Sequence, residues 1–153
     1  MNKAESVPEG YFTVTPYLII KDAVAALDFY KRAFNATELM CIKDADGKIR
    51  HAEIQIGDSP VMIVDEFPDY PEMPSPESLG GSPAHIHLFV ADVDTMFNEA
   101  IVAGATVVMP IAEQTEDRRG GIKDPFGHVW WISTRVEDVS REELQKRAAA
   151  NGL

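Results

Sequence analysis

The chain is poor in cysteine and in positive charge, and it has no long hydrophobic segment. Its single cysteine excludes an internal disulfide framework of the kind that holds small secreted domains together. No apolar run approaches the roughly 20 residues that a membrane-spanning helix needs. The opening residues, MNKAESVPEGYF, have neither the apolar core of a signal peptide nor the Arg-rich pattern of a transit peptide. We therefore expect a soluble, cytoplasmic protein with no membrane partner.

The scarcity of basic residues also excludes a class of partner. The sequence has 14 Lys and Arg against 25 Asp and Glu, which gives a net charge of −11. Such a chain repels nucleic-acid phosphates unless a local patch reverses the sign. The best basic cluster, from Lys21 to Arg32, is interrupted by Asp22 and Asp28. We therefore expect no nucleic-acid partner.

What the chain does have is an internal repeat. From residue 16 to 37 it reads PYLIIKDAVAALDFYKRAFNAT, and from residue 86 to 106 it reads IHLFVADVDTMFNEAIVAGAT. Each stretch predicts a short apolar strand, then an amphipathic helix, then a turn that ends in Ala-Thr. Asp22 and Asp92 occupy the position of a helix N-cap in the two copies. The sequence therefore predicts two copies of one structural unit.

Strand-like segments follow each predicted helix and complete the unit. They are separated by turn sequences such as DADG, GDSP and DPFG. The order in both halves is β-α-β-β-β, which predicts an α+β fold. The expected strands after the helices are 38–43, 49–56 and 61–65 in the first half, and 106–111, 119–123 and 129–134 in the second.

With 153 residues, 45% of them hydrophobic, the chain is the size of one compact domain. We predict a single domain, 1–153, with repeat one at about 13–66 and repeat two at about 84–135. Residues 67–83, rich in Pro, Gly and Ser, form a connector that is either a plain linker or a lid. A capping box at Ser140 predicts a short C-terminal helix over 140–150.

Together these motifs carry a family resemblance that covers roughly Thr13 to Arg135. The chain resembles the vicinal oxygen chelate superfamily in its repeat, its opening PYL strand, its helix sequence DFYKRAF and its closing DPFGHVWW. This is the fold of glyoxalase I, bleomycin-resistance proteins and extradiol dioxygenases, and the PhnB-like, glyoxalase-like group is the most similar. The resemblance implies that the two units pair curved mixed sheets around a cleft for a small ligand. It also implies that a divalent metal is often used and that the chains form homodimers.

Strand periodicity places side chains on the two faces of these sheets. Residues two apart along a strand share a face, and the more polar set is expected in the cleft. Trp130 and Trp131 therefore lie on opposite faces, with Trp130 in the core. The predicted cleft-facing, ligand-binding residues are Tyr17, His51, Glu53, His85, His87 and Trp131.

Metal-using relatives carry four ligands in the cleft, usually His, Gln or Glu. By resemblance, the corresponding positions here are Thr15, Ile63, His85 and Trp131. Of these, His85 is the residue that binds a divalent metal well. The standard site is therefore predicted to be degenerate, with Trp131 replacing a ligand by an apolar, stackable wall.

Two interpretations of the remaining histidines stay open. His51, His87 and Glu53 could join His85 in a displaced site for Zn, Ni, Mn or Fe. Alternatively, the histidines line a polar pocket and form hydrogen bonds with a ligand or with one another. His128, inside the DPFGH turn, is expected to be exposed.

Arg118 is the other candidate ligand-binding residue. An arginine at the rim of the cleft can bind a carboxylate or phosphate bidentately, which would suit an anionic ligand. The alternative is an exposed hairpin in which Asp117, Arg118 and Arg119 are simply solvated.

These observations leave two classes of function. The first is a metal-independent protein that sequesters or carries a small aromatic or anionic molecule between rings such as Tyr17 and Trp131. The second is a metal-dependent glyoxalase-like lyase, isomerase or dioxygenase in which Glu53 or a histidine moves a proton. A sheet edge left uncovered by the repeat also favours a homodimer.

Overall fold

The computed structural model describes residues 3–153, and they form eight strands and four helices. Two strand–helix–three-strand units follow one another, joined by a connector that contains one short helix. The elements are β1 Tyr17–Ile20, α1 Ala23–Phe34, β2 Thr37–Lys43, β3 Ile49–Ile56, β4 Ser59–Asp65, α2 Pro76–Leu79, β5 His85–Phe89, α3 Val93–Ala103, β6 Thr106–Glu113, β7 Asp117–Lys123, β8 Val129–Arg135 and α4 Arg141–Ala150.

Each unit builds one four-stranded mixed sheet. The strand order is β1-β4-β3-β2 in sheet A and β5-β8-β7-β6 in sheet B. The first strand pairs with the last in parallel, and the other pairs are antiparallel. Neither sheet closes on itself. The predicted α+β fold of two βαβββ repeats is confirmed.

The repeated helices begin and end where the sequence indicates. A side-chain oxygen of Asp22 accepts a hydrogen bond from the Ala25 amide, and Asp92 does the same for Thr95. These carboxylates satisfy amides that have no partner within the helix. Asn35, at φ 53°, ends α1 in the left-handed conformation that helix C-termini favour. Helices α1 and α3 then pack against each other.

An aromatic cluster lies between α1 and the last strand. The rings of Tyr30 and Phe34 on α1 pack against Trp130, which is fully buried as predicted. The buried Asp124 carboxylate accepts hydrogen bonds from the Tyr30 hydroxyl at 2.6 Å and the Trp130 indole at 2.9 Å. Burial, and then the nearby Asp124 charge, raise the pKa of Tyr30 well above its ordinary value. The DPFG turn is thereby fixed to α1.

The prediction that His128 is exposed was wrong. The residue is only 8% exposed, because the turn curls its chain back over the Asp124 carboxylate. Both the Phe126 and the His128 amides donate to that carboxylate at 3.0 Å. The His128 ring then reaches β1, with Nε2 3.1 Å from the carbonyl oxygen of Ile19. His128 therefore links the two repeats.

The connector is folded onto the rest of the chain. Its helix α2 begins at an N-cap, Ser75, whose hydroxyl accepts from the Ser78 amide. The Glu66 carboxylate binds both the Ser75 amide and the Ser78 hydroxyl at 2.8 Å. A Cβ on Gly127 would come within 2.9 Å of Pro76, so the connector packs directly on the DPFG turn. Whether it moves as a lid stays a prediction.

The C-terminal helix α4 begins after Ser140, whose hydroxyl accepts a hydrogen bond from the Glu143 amide, so the predicted helix start is confirmed. The Glu143 carboxylate binds Arg147 and does not complete the predicted capping box. Arg147 anchors the helix through Glu137 and Glu143. Across residues 3–153, the helices are all too short or too polar to cross a membrane.

Candidate functional site

Cross-strand register places the candidate residues in two rows. In sheet A, Tyr17, Met62 and Glu53 stand side by side on β1, β4 and β3. In sheet B, the matching row is His87, Trp131 and Gly121. In sheet A the alternate positions are fully or almost fully buried, as Leu18 and Ile63 are, so this row lies on the face away from the core.

This register corrects one of the four metal positions inferred from the resemblance. Trp131 pairs with His87, and the equivalent pair in the first repeat is Met62 with Tyr17. Ile63 pairs with Leu18 instead and is fully buried in the core. The assignment of Ile63 to the cleft was therefore wrong by one residue, which in a strand reverses the face. Met62 takes its place.

The sheet A side of the site is a hydrogen-bonded group of three residues. His51 Nε2 donates to Glu53 Oε1 at 2.8 Å, and the Tyr11 hydroxyl donates to Glu53 Oε2. The Tyr17 ring lies 6.3 Å from the His51 ring. Sequence reasoning missed Tyr11, because it precedes the first strand and reaches Glu53 across 42 positions of the chain.

On sheet B, Trp131 is tied to His85. The indole N–H donates to His85 Nδ1 at 3.0 Å, and the ring centroids are 6.1 Å apart. Because an indole nitrogen can only donate, Nδ1 must be the acceptor, so the Nδ1 lone pair of His85 is already used. The Trp131 ring lies over Gly121, where a Cβ would come within 2.8 Å of it.

His87 is held in a different way. Its Nε2 lies 2.8 Å from the Ser133 hydroxyl, and its ring stacks on Phe89 with 4.6 Å between centroids. Partial burial lowers the pKa of His87, and the positive charge of Arg119 lowers it further. His87 therefore favours the neutral form, which suits hydrogen bonding to a ligand.

Arg118 does not face the cleft. Its guanidinium binds Asp94 at the start of α3 through two nitrogens, at 2.8 and 2.9 Å, and Glu113 through a third. These partners hold it on the helix side of sheet B, so its prediction as a cleft ligand was wrong. The next residue, Arg119, pairs with Ser133 in the register and faces the same side as Trp131.

The donor set does not fit a divalent metal ion. The family positions hold Thr15, Met62, Trp131 and a single imidazole, His85, whose Nδ1 is occupied. The displaced site is not assembled either: within residues 3–153, no three His, Cys, Asp or Glu side chains are placed to hold a metal. His51 and Glu53 stand on sheet A, whereas His85 and His87 stand on sheet B.

A cavity of about 380 Å³ lies between the first strands of the two sheets, under the connector. Its walls are mostly apolar, and its polar groups include the ring of His85. Two of the predicted ligand-binding residues line it. The main lining residues are Tyr17, Leu18, Pro74, Leu79, His85 and His128.

Two βαβββ sheets with a cavity between their first strands are the architecture expected from the resemblance. The model of the Glyoxalase/Bleomycin resistance protein/Dioxygenase superfamily matches residues 11–132, and the chain belongs to this superfamily. Protein Mb0911c of Mycobacterium bovis is 42% identical over 142 residues, covering 91% of this chain and 93% of the relative. Protein Rv0887c of Mycobacterium tuberculosis is also 42% identical and is covered over 84% of its length.

Solved structures share the fold. TioX from Micromonospora sp. ML1 has a TM-score of 0.62 and 26% identity, over 84% of this chain and all of TioX. The PhnB protein from Bacillus cereus has a TM-score of 0.64 and 16% identity, over 80% of this chain and 99% of its own. The fosfomycin resistance protein FosX from Listeria monocytogenes has a TM-score of 0.62 and 18% identity, over 86% of this chain and 96% of its own. At such low identities, PhnB and FosX support the fold alone.

Proposed function

We propose that this protein binds a small aromatic or anionic molecule in the cavity between β1 and β5, without a metal ion, and sequesters or carries it. The observation that carries this proposal is the hydrogen bond from Trp131 to His85 Nδ1. It puts an indole ring where metal-using relatives have a ligand, and it occupies the one histidine of that set.

The character of the cavity supports the proposal. Small-molecule sites are concave and mostly apolar, with a few polar groups that orient the ligand. Here the apolar walls are provided by both repeats and by the connector, and Tyr17 and His85 supply the polar groups. Trp131 is not a lining residue of this cavity, and it contributes through the hydrogen bond to His85 Nδ1 that orients the His85 ring. No catalytic group is needed for binding of this kind.

A specific observation favours a catalytic alternative. His51, Glu53 and Tyr11 form a hydrogen-bonded chain in which the carboxylate orients the imidazole. Such a pair can take a proton from a bound molecule and return it, as a lyase or isomerase requires. Glu53 and His51 are the residues that we assign to this role if the protein is an enzyme.

We also propose that the protein is a cytoplasmic homodimer. Members of this superfamily often form dimers, and the edge strand β5 leaves Phe89 70% exposed. The edge strand β2 also carries exposed apolar side chains, among them Leu39, Met40 and Ile42. A second copy that covers such side chains would remove apolar surface from water.

Elemental analysis separates the binder from a metal-dependent enzyme. The purified protein is incubated with Zn²⁺, Ni²⁺, Mn²⁺ and Fe²⁺ in turn, dialysed, and analysed for metal. We expect less than one equivalent to be retained, and no difference between the wild type and His85→Ala. Stoichiometric metal that disappears in His85→Ala would contradict the proposal and support the enzyme.

Ligand binding is tested with the fluorescent aromatic anion anilinonaphthalene sulfonate, which is large enough to fill the cavity. We expect Trp131→Ala to weaken binding about three- to tenfold, because the His85 ring, which lines the cavity, loses the hydrogen bond and the ring contact that orient it. Trp131→Phe, which keeps a ring, should lose less. Val102→Ala, on the exposed face of α3, is the control for nonspecific surface binding. Equal affinity in Trp131→Ala and Val102→Ala would reject the site.

A further inference from the structure

A second, smaller cavity of about 190 Å³ lies where the connector crosses the edge of sheet A. Apart from Tyr17, it contains none of the residues that the sequence pointed to. Three of its walls come from the connector and the rest from β1, β3 and β4. The lining residues used below are Tyr17, Arg50, Asp65, Phe67, Tyr70 and Met73.

The connector builds its walls through successive turns. The Tyr70 amide donates to the Phe67 carbonyl at 3.0 Å, and the Met73 amide donates to the Tyr70 carbonyl at 3.0 Å. Every third side chain is thereby directed to the same cavity. The Glu66 carboxylate fixes this segment from one end. Together with Tyr17, the walls are three aromatic rings and a thioether, a set suited to a flat apolar ring.

Arg50 supplies the polar group of this cavity. Its guanidinium carbon lies 3.8 Å above the centroid of the Phe67 ring, which holds the planar group in place. Its Nε is 3.4 Å from an Asp44 carboxylate oxygen. Among the residues that the structure describes, neither terminal nitrogen of Arg50 has a hydrogen-bond partner. The guanidinium therefore has donors left for an anionic ligand.

The charges around this cavity are nearly balanced, whereas the chain as a whole carries a net charge of −11. Asp65 lines the cavity, but its two oxygens already accept hydrogen bonds from the Ala23 and Ile49 amides, at 2.9 and 2.7 Å. Lys48 adds a second cation, with its nitrogen 5.6 Å from the Phe67 ring centroid. The two amides leave Asp65 negatively charged, so Asp44 and Asp65 offset Arg50 and Lys48. An anion would therefore be recognised by the remaining donors of the Arg50 guanidinium, and not by an excess of positive charge.

We propose that this cavity binds a small planar aromatic carboxylate, with the ring against the aromatic walls and the carboxylate on Arg50. A guanidinium matches a carboxylate bidentately, which gives both charge and orientation. The volume is sufficient, since an apolar cavity of about 150 Å³ holds benzene. This inference rests on the proposed function, that the protein binds a small molecule, and it names the class of ligand and a separate subsite.

Benzoate is the probe, and its affinity is measured by calorimetric titration of the full chain. We expect Arg50→Gln to weaken benzoate at least about tenfold, the size of a lost charge-assisted contact. Arg32→Gln is the matched control, because Arg32 is an exposed arginine on α1 that pairs with Asp28. It should leave benzoate affinity unchanged. Benzamide, with the same ring but no charge, should bind the wild type more weakly than benzoate.

Tyr70→Ala provides a second variant that does not threaten the core, because Tyr70 is 48% exposed. It should weaken benzoate through loss of an aromatic wall. Absence of benzoate binding to the wild type, or equal affinity in Arg50→Gln and Arg32→Gln, would overturn the inference. Benzoate lost in Trp131→Ala but retained in Arg50→Gln would overturn it while leaving the proposed function intact. Benzoate retained in Trp131→Ala but lost in Arg50→Gln supports this cavity as the subsite.

Discussion

The Asp124 carboxylate accepts four hydrogen bonds, more than any other side chain within residues 3–153. One carboxylate oxygen accepts the Tyr30 hydroxyl and the Trp130 indole, and the other accepts two amides of its own turn. Asp124 is only 2% exposed, so a donor that lost this carboxylate would have no water molecule to replace it. The carboxylate therefore joins α1, the last turn and the last strand.

Asp124→Asn should reduce the free energy of unfolding by about 2 to 4 kcal/mol, because the amide group has one acceptor oxygen and leaves two buried donors unpaired. Denaturant unfolding followed by circular dichroism measures the loss. The matched control is Asp92→Asn, at an exposed helix N-cap where Asn is as good as Asp, with an expected change within about 0.5 kcal/mol. Equal stability of the two variants would contradict the role of Asp124.

The two neighbouring arginines illustrate how much depends on one position along a strand. Arg118 and Arg119 differ by one residue, yet Arg118 binds Asp94 on the helix side and Arg119 faces the side of Trp131. The sequence contains both residues and no local signal that separates them. The pairing of Ser133 with Arg119 makes the choice, and that pairing is a property of the assembled sheet.

At the scale of elements, the connector is the segment with the most unexpected role. Its Pro, Gly and Ser content is typical of a linker, but it forms a helical turn and walls of two cavities. Glu66 is the anchor of the connector. Hydrogen bonds lower the pKa of its carboxyl below the ordinary 4.5, chiefly the one from the Ser75 amide and then the one from the Ser78 hydroxyl. A carboxyl with a lowered folded-state pKa stabilises the fold above its ordinary pKa and loses that contribution as the pH falls.

Glu66→Gln should therefore loosen the connector at neutral pH, because the neutral amide replaces charge-assisted hydrogen bonds by weaker ones. Amide hydrogen exchange over residues 67–83 is the measurement, and faster exchange is expected in the variant. In the wild type, the protection factors of these amides, which compare the observed exchange rates with the intrinsic ones, should fall as the pH drops below about 4.5. Glu72→Gln, exposed in the same segment, serves as the control. Identical exchange in both variants would remove Glu66 as the anchor.

At the scale of the whole molecule, the repeats have kept their fold and diverged in their chemistry. Both use an Asp N-cap, and both pair the first strand with the last. Their outward rows differ: Tyr17, Met62 and Glu53 in one, and His87, Trp131 and Gly121 in the other. The two outward faces therefore present different side chains although the backbones repeat.

Phe89→Asp should shift the protein from dimer to monomer, because an unpaired carboxylate would be buried in the contact between copies. Sedimentation at micromolar concentration should give about twice the chain mass of 16.9 kDa for the wild type and a value near 16.9 kDa for the variant. Val102→Asp, on the exposed face of α3, is the control and should remain dimeric. A monomeric wild type would rule out the homodimer.

The sequence by itself determined the repeat, the approximate bounds of α1, α3 and α4, and the face of most strand residues. These follow from local periodicity and capping, which depend on neighbours a few positions away. The pair at Trp130 and Trp131 is the clearest case, because alternation along one strand was enough to put one ring inside and the other outside.

Tertiary structure decided the features that join distant segments. Tyr11 reaches Glu53, His128 turns in to meet Ile19, and the connector closes a cavity over Arg50. Register made Met62, rather than Ile63, the counterpart of Trp131. Each of these contacts depends on where separate elements meet in space. These positions are determined by close packing and by the pairing of buried polar groups across the whole chain, and the two partners are too far apart in the sequence for a local pattern to include both.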